Sequence, residues 1–99
     1  MAKNGTVIVN RLTWTELTDS NITAATWQVQ GANDVRIQAT VGATPPTDLL
    51  VGILYSRETR EGESTLRTLA DLFPGVSGAN RLYGLSDGKE GSLVFISHA

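Results

Sequence analysis

Cysteine is missing from this chain of 99 residues. Neither disulfides nor thiolate-bound zinc can therefore hold its fold. Charge is sparse: charged residues make up 18% of the chain, the formal net charge is −2, and the two signs are interspersed. There is no basic patch or arm of the kind that binds nucleic acid, and no polybasic run for an anionic membrane. The apolar runs are a few residues long, far short of a membrane span. The opening Met1-Ala-Lys-Asn-Gly5 has no apolar core of a signal peptide, so we expect synthesis and folding in a cytoplasm. Lysine is scarce, whereas Thr, Val, Ile and Gly are common, a balance that suits sheets. This length implies one domain, residues 1–99, with a modest core that would gain from burial between copies.

The clearest signal lies between Val35 and Tyr55. Val35, Ile37, Ala39 and Val41 alternate with Arg36, Gln38 and Thr40, the period of a half-buried strand. A connection containing Pro45-Pro46 follows, through which no strand can run. Leu49 to Tyr55 is apolar on both faces and reads as a strand covered from both sides. Upstream, Met1 to Gly5 reads as a flexible arm, Thr6–Asn10 as a short strand, and Arg11–Leu17 as a weaker one anchored by Trp14. Ala24–Gln30 alternates with Ala25, Trp27 and Val29 inward. Gly31–Asp34 then turns the chain, so residues 24–41 are expected to form an antiparallel hairpin.

Leu66, Leu69, Ala70 and Phe73 fall at helical spacing, with Ser64 as a candidate N-cap and Pro74-Gly75 as a stop. This predicts one short helix over about residues 64–73. Arg81–Ser86 and Ser92–His98 read as the last strands, the final one inside a sheet. The expected fold is all-β: a small antiparallel β-sandwich or jelly-roll-like barrel with that one helix.

No catalytic, cofactor-binding or metal-binding set emerges. His98 is the single histidine, and no nucleophile elbow surrounds any serine. The aspartates sit in turns, where their side chains bond their own backbone. Asp87-Gly-Lys-Glu90 lacks the alternating ligands of a calcium loop. Gly75-Val-Ser-Gly78 follows the helical stripe and opens no helix, so it offers phosphate nothing.

A different pattern is more suggestive. If residues 24–41 form a hairpin, Thr26, Gln28 and Gln30 lie beside Arg36, Gln38 and Thr40 as one polar, nearly uncharged face. Such a face suits a subunit interface or a carbohydrate surface as well as plain solvent. Trp14, placed near the presumed sheet edge, is the best aromatic candidate for an exposed contact.

Four stretches carry a likeness: W-T-E-L-T-D (Trp14–Asp19), V-G-A-T-P-P-T-D (Val41–Asp48), D-L-F-P-G-V-S-G-A-N-R-L-Y (Asp71–Tyr83) and the closing S-H-A (Ser97–Ala99). In these the chain resembles small β-rich virion proteins of tailed bacteriophages. The resemblance implies a non-enzymatic structural protein. The first expectation is a capsid decoration (cement) protein that binds the outer head surface, and so the major capsid protein, as a homo-oligomer with a trimer favoured. The second is a tail or fibre component that binds host surface carbohydrate. No site residue follows from the resemblance itself.

Overall fold

The computed structural model describes residues 2–99; Met1, part of the expected arm, lies outside them. The elements in order are β1 (Lys3–Val9), β2 (Thr15–Glu16), β3 (Ala24–Val29), β4 (Val35–Thr40), β5 (Ile53–Tyr55), β6 (Gly62–Thr68), α1 (Leu69–Leu72), β7 (Arg81–Ser86) and β8 (Ser92–His98). They build two four-stranded sheets, ordered β1-β8-β3-β6 and β2-β7-β4-β5. The pairings nest: β1 with β8, β2 with β7, β3 with β6 and β4 with β5, all antiparallel. Further antiparallel pairs, β3 with β8 and β4 with β7, join the nested pairs into sheets. A long hairpin rolled up in this way is a jelly roll, and its two sheets stack as a sandwich without closing into a barrel.

The alternation seen in the sequence explains the layers. Ala25, Trp27 and Val29 of β3 are buried, as are Val35, Ile37 and Ala39 of β4. The two sets meet between the sheets with Val9, Leu17, Tyr55, Leu82, Val94 and Ile96. Fully burying a side chain of this kind is worth about 1.5–3 kcal/mol. Gly84 lets the layers close at the centre of β7, since a Cβ there would sit 3.0 Å from Val9 and 3.3 Å from Leu17. Leu69 and Phe73, from α1 and the residue after it, join the same core. β8 lies between β1 and β3, inside its sheet as expected.

Four expectations are corrected. Residues 24–41 are not a hairpin: β3 and β4 belong to different sheets, and the Gly31–Asp34 turn carries the chain from one to the other. Residues 64–68 are strand, and the helix is only Leu69–Leu72, capped by Thr68, whose hydroxyl accepts from the Asp71 N–H at 3.2 Å. Pairing with β3 satisfies the 62–68 backbone, and Leu66, the first member of the helical stripe, is exposed. Residues 3–5 are no free arm, because Lys3, Asn4 and Gly5 pair with His98, Ser97 and Ile96. Finally, the run Leu49–Tyr55 is not doubly covered. Only Ile53–Tyr55 is strand, it lies at a sheet edge, and Leu50 and Leu54 are exposed.

The strand covered on both faces is β7. By register with β4, its Tyr83 and Leu85 point away from the inter-sheet core, yet both are buried. The segment 41–52 is tied over this face. Trp14 Nε1 donates to the Asp48 carbonyl at 3.0 Å and Arg36 Nη1 to the Leu50 carbonyl at 3.4 Å. At its start, the Gly42 N–H donates to Asn80 Oδ1 at 2.7 Å. The proline-containing segment is thus a strap across the outer face of the second sheet.

Candidate functional site

The six residues expected to form one polar face are divided by the thickness of the sandwich. Thr26, Gln28 and Gln30 lie on the outer side of the first sheet, whereas Arg36, Gln38 and Thr40 lie on the outer side of the second. The second trio is committed to its own structure. Besides its bond to the strap, Arg36 pairs through Nε with Asp87 at 3.4 Å. Gln38 Nε2 donates to the Ala39 carbonyl at 2.9 Å, and Thr40 Oγ1 to the Gly42 carbonyl at 2.9 Å. Trp14 is half-buried, and its N–H is committed to the strap.

The first trio is freer. Gln30 Nε2 donates to Gln28 Oε1 at 3.0 Å, and among the described residues neither the Gln28 amide N–H groups nor Thr26 Oγ1 has a hydrogen-bond partner. In the same layer, Phe95 of β8 lies opposite Gln28, with Thr6 of β1 on its other side.

The first sheet is irregular beside this row. Ala25 pairs with Arg67 and Trp27 with Glu63, so Ser64, Thr65 and Leu66 of β6 lie opposite the single residue Thr26. A strand with surplus residues bows away from its partner. The result is a cleft of about 440 Å³ whose lining includes Thr26, Gln28, Ser64, Phe95, Arg60 and Glu61. Its floor needs Gly62, where a Cβ would collide with the Trp27 carbonyl.

The 56–61 turn shapes one wall. The Glu61 N–H donates to the Ser56 carbonyl at 3.0 Å, the Ser56 N–H to Glu61 Oε1 at 2.7 Å, and the Arg57 N–H to Asp34 Oδ1 at 2.8 Å. These bonds hold Arg60 at a φ of 51°, a conformation that few non-glycine residues adopt. The strain is stored at the rim of the cleft.

A second opening of about 360 Å³ lies at the edge of the sandwich, bordered by Ile53, Leu54, Tyr55, Glu61, Gly62 and Glu63. Here Tyr55 of one sheet donates through its hydroxyl to Glu63 of the other. Burial and the nearby Glu63 carboxylate hold the Tyr55 phenol above its ordinary range, and the Trp27 indole offsets part of that rise. The Trp27 ring meets Tyr55 edge-on, with centroids 6.0 Å apart, but its buried Nε1 has no hydrogen-bond partner among the described residues. Tyr83 is likewise raised by burial and then by the Glu16 carboxylate.

Other residues weighed from the sequence have structural places. Buried His98 accepts through Nε2 from the Asp19 N–H at 3.3 Å. Glu16 pairs with Arg81 at 2.6 Å and accepts from Thr18 at 3.0 Å. Among the described residues, no three His, Cys, Asp or Glu side chains cluster to hold a metal ion. The sequence pattern hides the cleft, because the bulged residues 64–66 fall in the expected helix. Comparison with known proteins finds no matching family model, no similar curated protein and no similar solved structure.

Proposed function

We propose that this chain is a non-enzymatic structural protein of a bacteriophage virion, a decoration protein that binds the major capsid protein on the outer head surface as a homo-oligomer, most simply a trimer. It would be made in the host cytoplasm and carried in the virion. The sequence resemblance supplies the setting, and one observation carries the reading. Leu50, in the strap, is 75% exposed, and Leu54, in the edge strand β5, is 44% exposed. Natural edges are blunted by charge, proline or cover. This one presents leucines, as a surface does that is covered by another subunit.

A separate apolar pair on the opposite sheet, Ile8 beside Leu93, provides a second contact. A domain with two such patches can bind its own copies through one and a lattice through the other. Linked copies then turn weak lattice contacts into firm attachment. Closed cyclic symmetry would bury the leucines in every copy.

Light scattering of the purified chain at micromolar concentration should give about three times the 10.6 kDa protomer mass. The double variant Leu50→Asp/Leu54→Asp should be monomeric with an unchanged melting temperature, and should lose co-sedimentation with undecorated capsids. A wild-type monomer that ignores capsids overturns the reading. If that monomer instead retains host polysaccharide, the tail or fibre reading replaces it.

A further inference from the structure

Several polar side chains line the bulge-opened cleft without a partner among the described residues. Thr26 Oγ1, Ser64 Oγ and the Arg60 guanidinium make no hydrogen bond or ion pair with the described residues. Gln28 spends only its carbonyl oxygen, on Gln30, and Glu61 spends only Oε1, on the Ser56 N–H. The cleft thus sets these donors and acceptors beside the half-buried Phe95 side chain.

We propose that this cleft binds a saccharide, with Phe95 stacking on the apolar face of a pyranose ring and Gln28, Thr26, Ser64 and Arg60 bonding its hydroxyls. A sugar ring has an apolar C–H face and a rim of hydroxyls that both donate and accept, and the cleft matches both halves. An aromatic ring supplies stiff apolar area, while hydroxyl, amide and guanidinium groups supply orientation. The volume lies within the range of about 300–1,000 Å³ usual for small-ligand sites. Arg60 and Glu61 contribute one charge of each sign, so the site is close to neutral and favours a neutral sugar over an acidic one. A peptide added as an extra strand fits less well, since the bulge breaks the β6 ladder that such a peptide would extend.

The geometry also explains two costly features. Gly62 is held where no side chain fits, which brings the base of β6 against β3. Arg60 keeps a left-handed backbone that glycine would adopt freely. Both place the guanidinium at the rim beside the bulge. The inference does not depend on head or tail placement; the leucine edge adjoins the cleft, since Glu61 and Gly62 border both the opening beside Leu54 and the cleft itself.

The test is an amide chemical-shift titration of the full chain with methyl glycosides of glucose, galactose, mannose and N-acetylglucosamine, and with N-acetylneuraminic acid as the acidic arm. At least one neutral glycoside should give saturating shifts centred on Thr26, Gln28, Gly62 and Phe95, with the acidic sugar weaker. Gln28→Ala should weaken that binding roughly tenfold, the size of one lost hydrogen bond. Arg60→Gly should weaken it similarly while leaving the protein as stable or more so, because glycine relieves the strained backbone. That variant separates binding from folding. No saturating shift with any glycoside, shifts centred on another surface, or unchanged affinity in both variants would overturn the proposal.

Discussion

Tyr55 and Glu63 tie the two sheets together at their open edge: the Tyr55 hydroxyl donates to Glu63 Oε2 at 3.2 Å, from β5 of one sheet to β6 of the other. Because burial and the adjacent carboxylate raise the folded-state phenol, this bond couples edge closure to pH. An unfolded tyrosine loses its proton near pH 10. Above that value the unfolded chain binds fewer protons than the folded one, so stability falls as pH rises. Below it the contribution is complete. Urea midpoints should therefore be flat from about pH 8 to about pH 9.5 and then drop. Tyr55→Phe should reduce the drop without abolishing it, since the raised Tyr83 adds its own share. An unchanged alkaline profile in that variant would remove Tyr55 from the account.

Trp27 is the largest fully buried side chain in the core. Trp27→Ala should cost about 3–5 kcal/mol, read from the shift in urea midpoint. The expected outcome is a chain near the limit of stability for a small domain. A soluble variant with the wild-type midpoint would mean that the inward face of β3 had been assigned the wrong way round.

Gly52 leads into β5 with a φ of 100°, and a Cβ there would sit 2.7 Å from the Ile37 carbonyl oxygen. Gly52→Ala should lose about 1–3 kcal/mol. Gly42 also has positive φ but open space around it, so Gly42→Ala should cost less. Thermal melts of the two variants give the comparison, and equal losses would contradict the close approach at Gly52.

The strap depends on Trp14. Trp14→Phe keeps most of the ring but removes the N–H that Asp48 accepts from, and should cost about 0.5–1.5 kcal/mol. Its more telling effect should be local. Chymotrypsin should cut after Leu49 or Leu50 faster than in wild type, while global unfolding in urea moves only slightly. Equal cleavage rates would show that Arg36 and Asn80 hold the strap without the Trp14 N–H.

Much of the layering was legible because both inner faces point at one core. Trp27 inward and Ile37 inward are correct whether β3 and β4 pair with each other or face each other, so alternation recovers burial but not pairing. The true partners of β3 are β6 and β8, which lie far along the chain, beyond any local pattern. A polar turn such as Gly31–Asp34 serves a hairpin and a sheet-to-sheet crossing equally well. The leucine run at 49–54 misled for a related reason. Apolar residues on both faces signal cover, but cover by a partner outside the chain leaves the same mark as cover within it. The true doubly covered strand, Arg81–Ser86, carries Gly84 and a tyrosine and looks weaker. The cleft was hidden because Leu66, Leu69, Ala70 and Phe73 share helical spacing, whereas only Leu69 and Phe73 of the apolar stripe reach the core.

The nested pairing also sets an order of events. Lys3 pairs with His98 and Val9 with Ser92, so β1 has no sheet partner until β8, the last of the described strands to leave the ribosome, is available. During synthesis Val7 and Ile8 must wait in solution, and the long loop closure comes before the contacts that reward it. Such a topology belongs with slow folders, in the range of milliseconds to seconds. The chain spends that interval with an apolar strand exposed, and its yield in the cell depends on how quickly β1 and β8 meet.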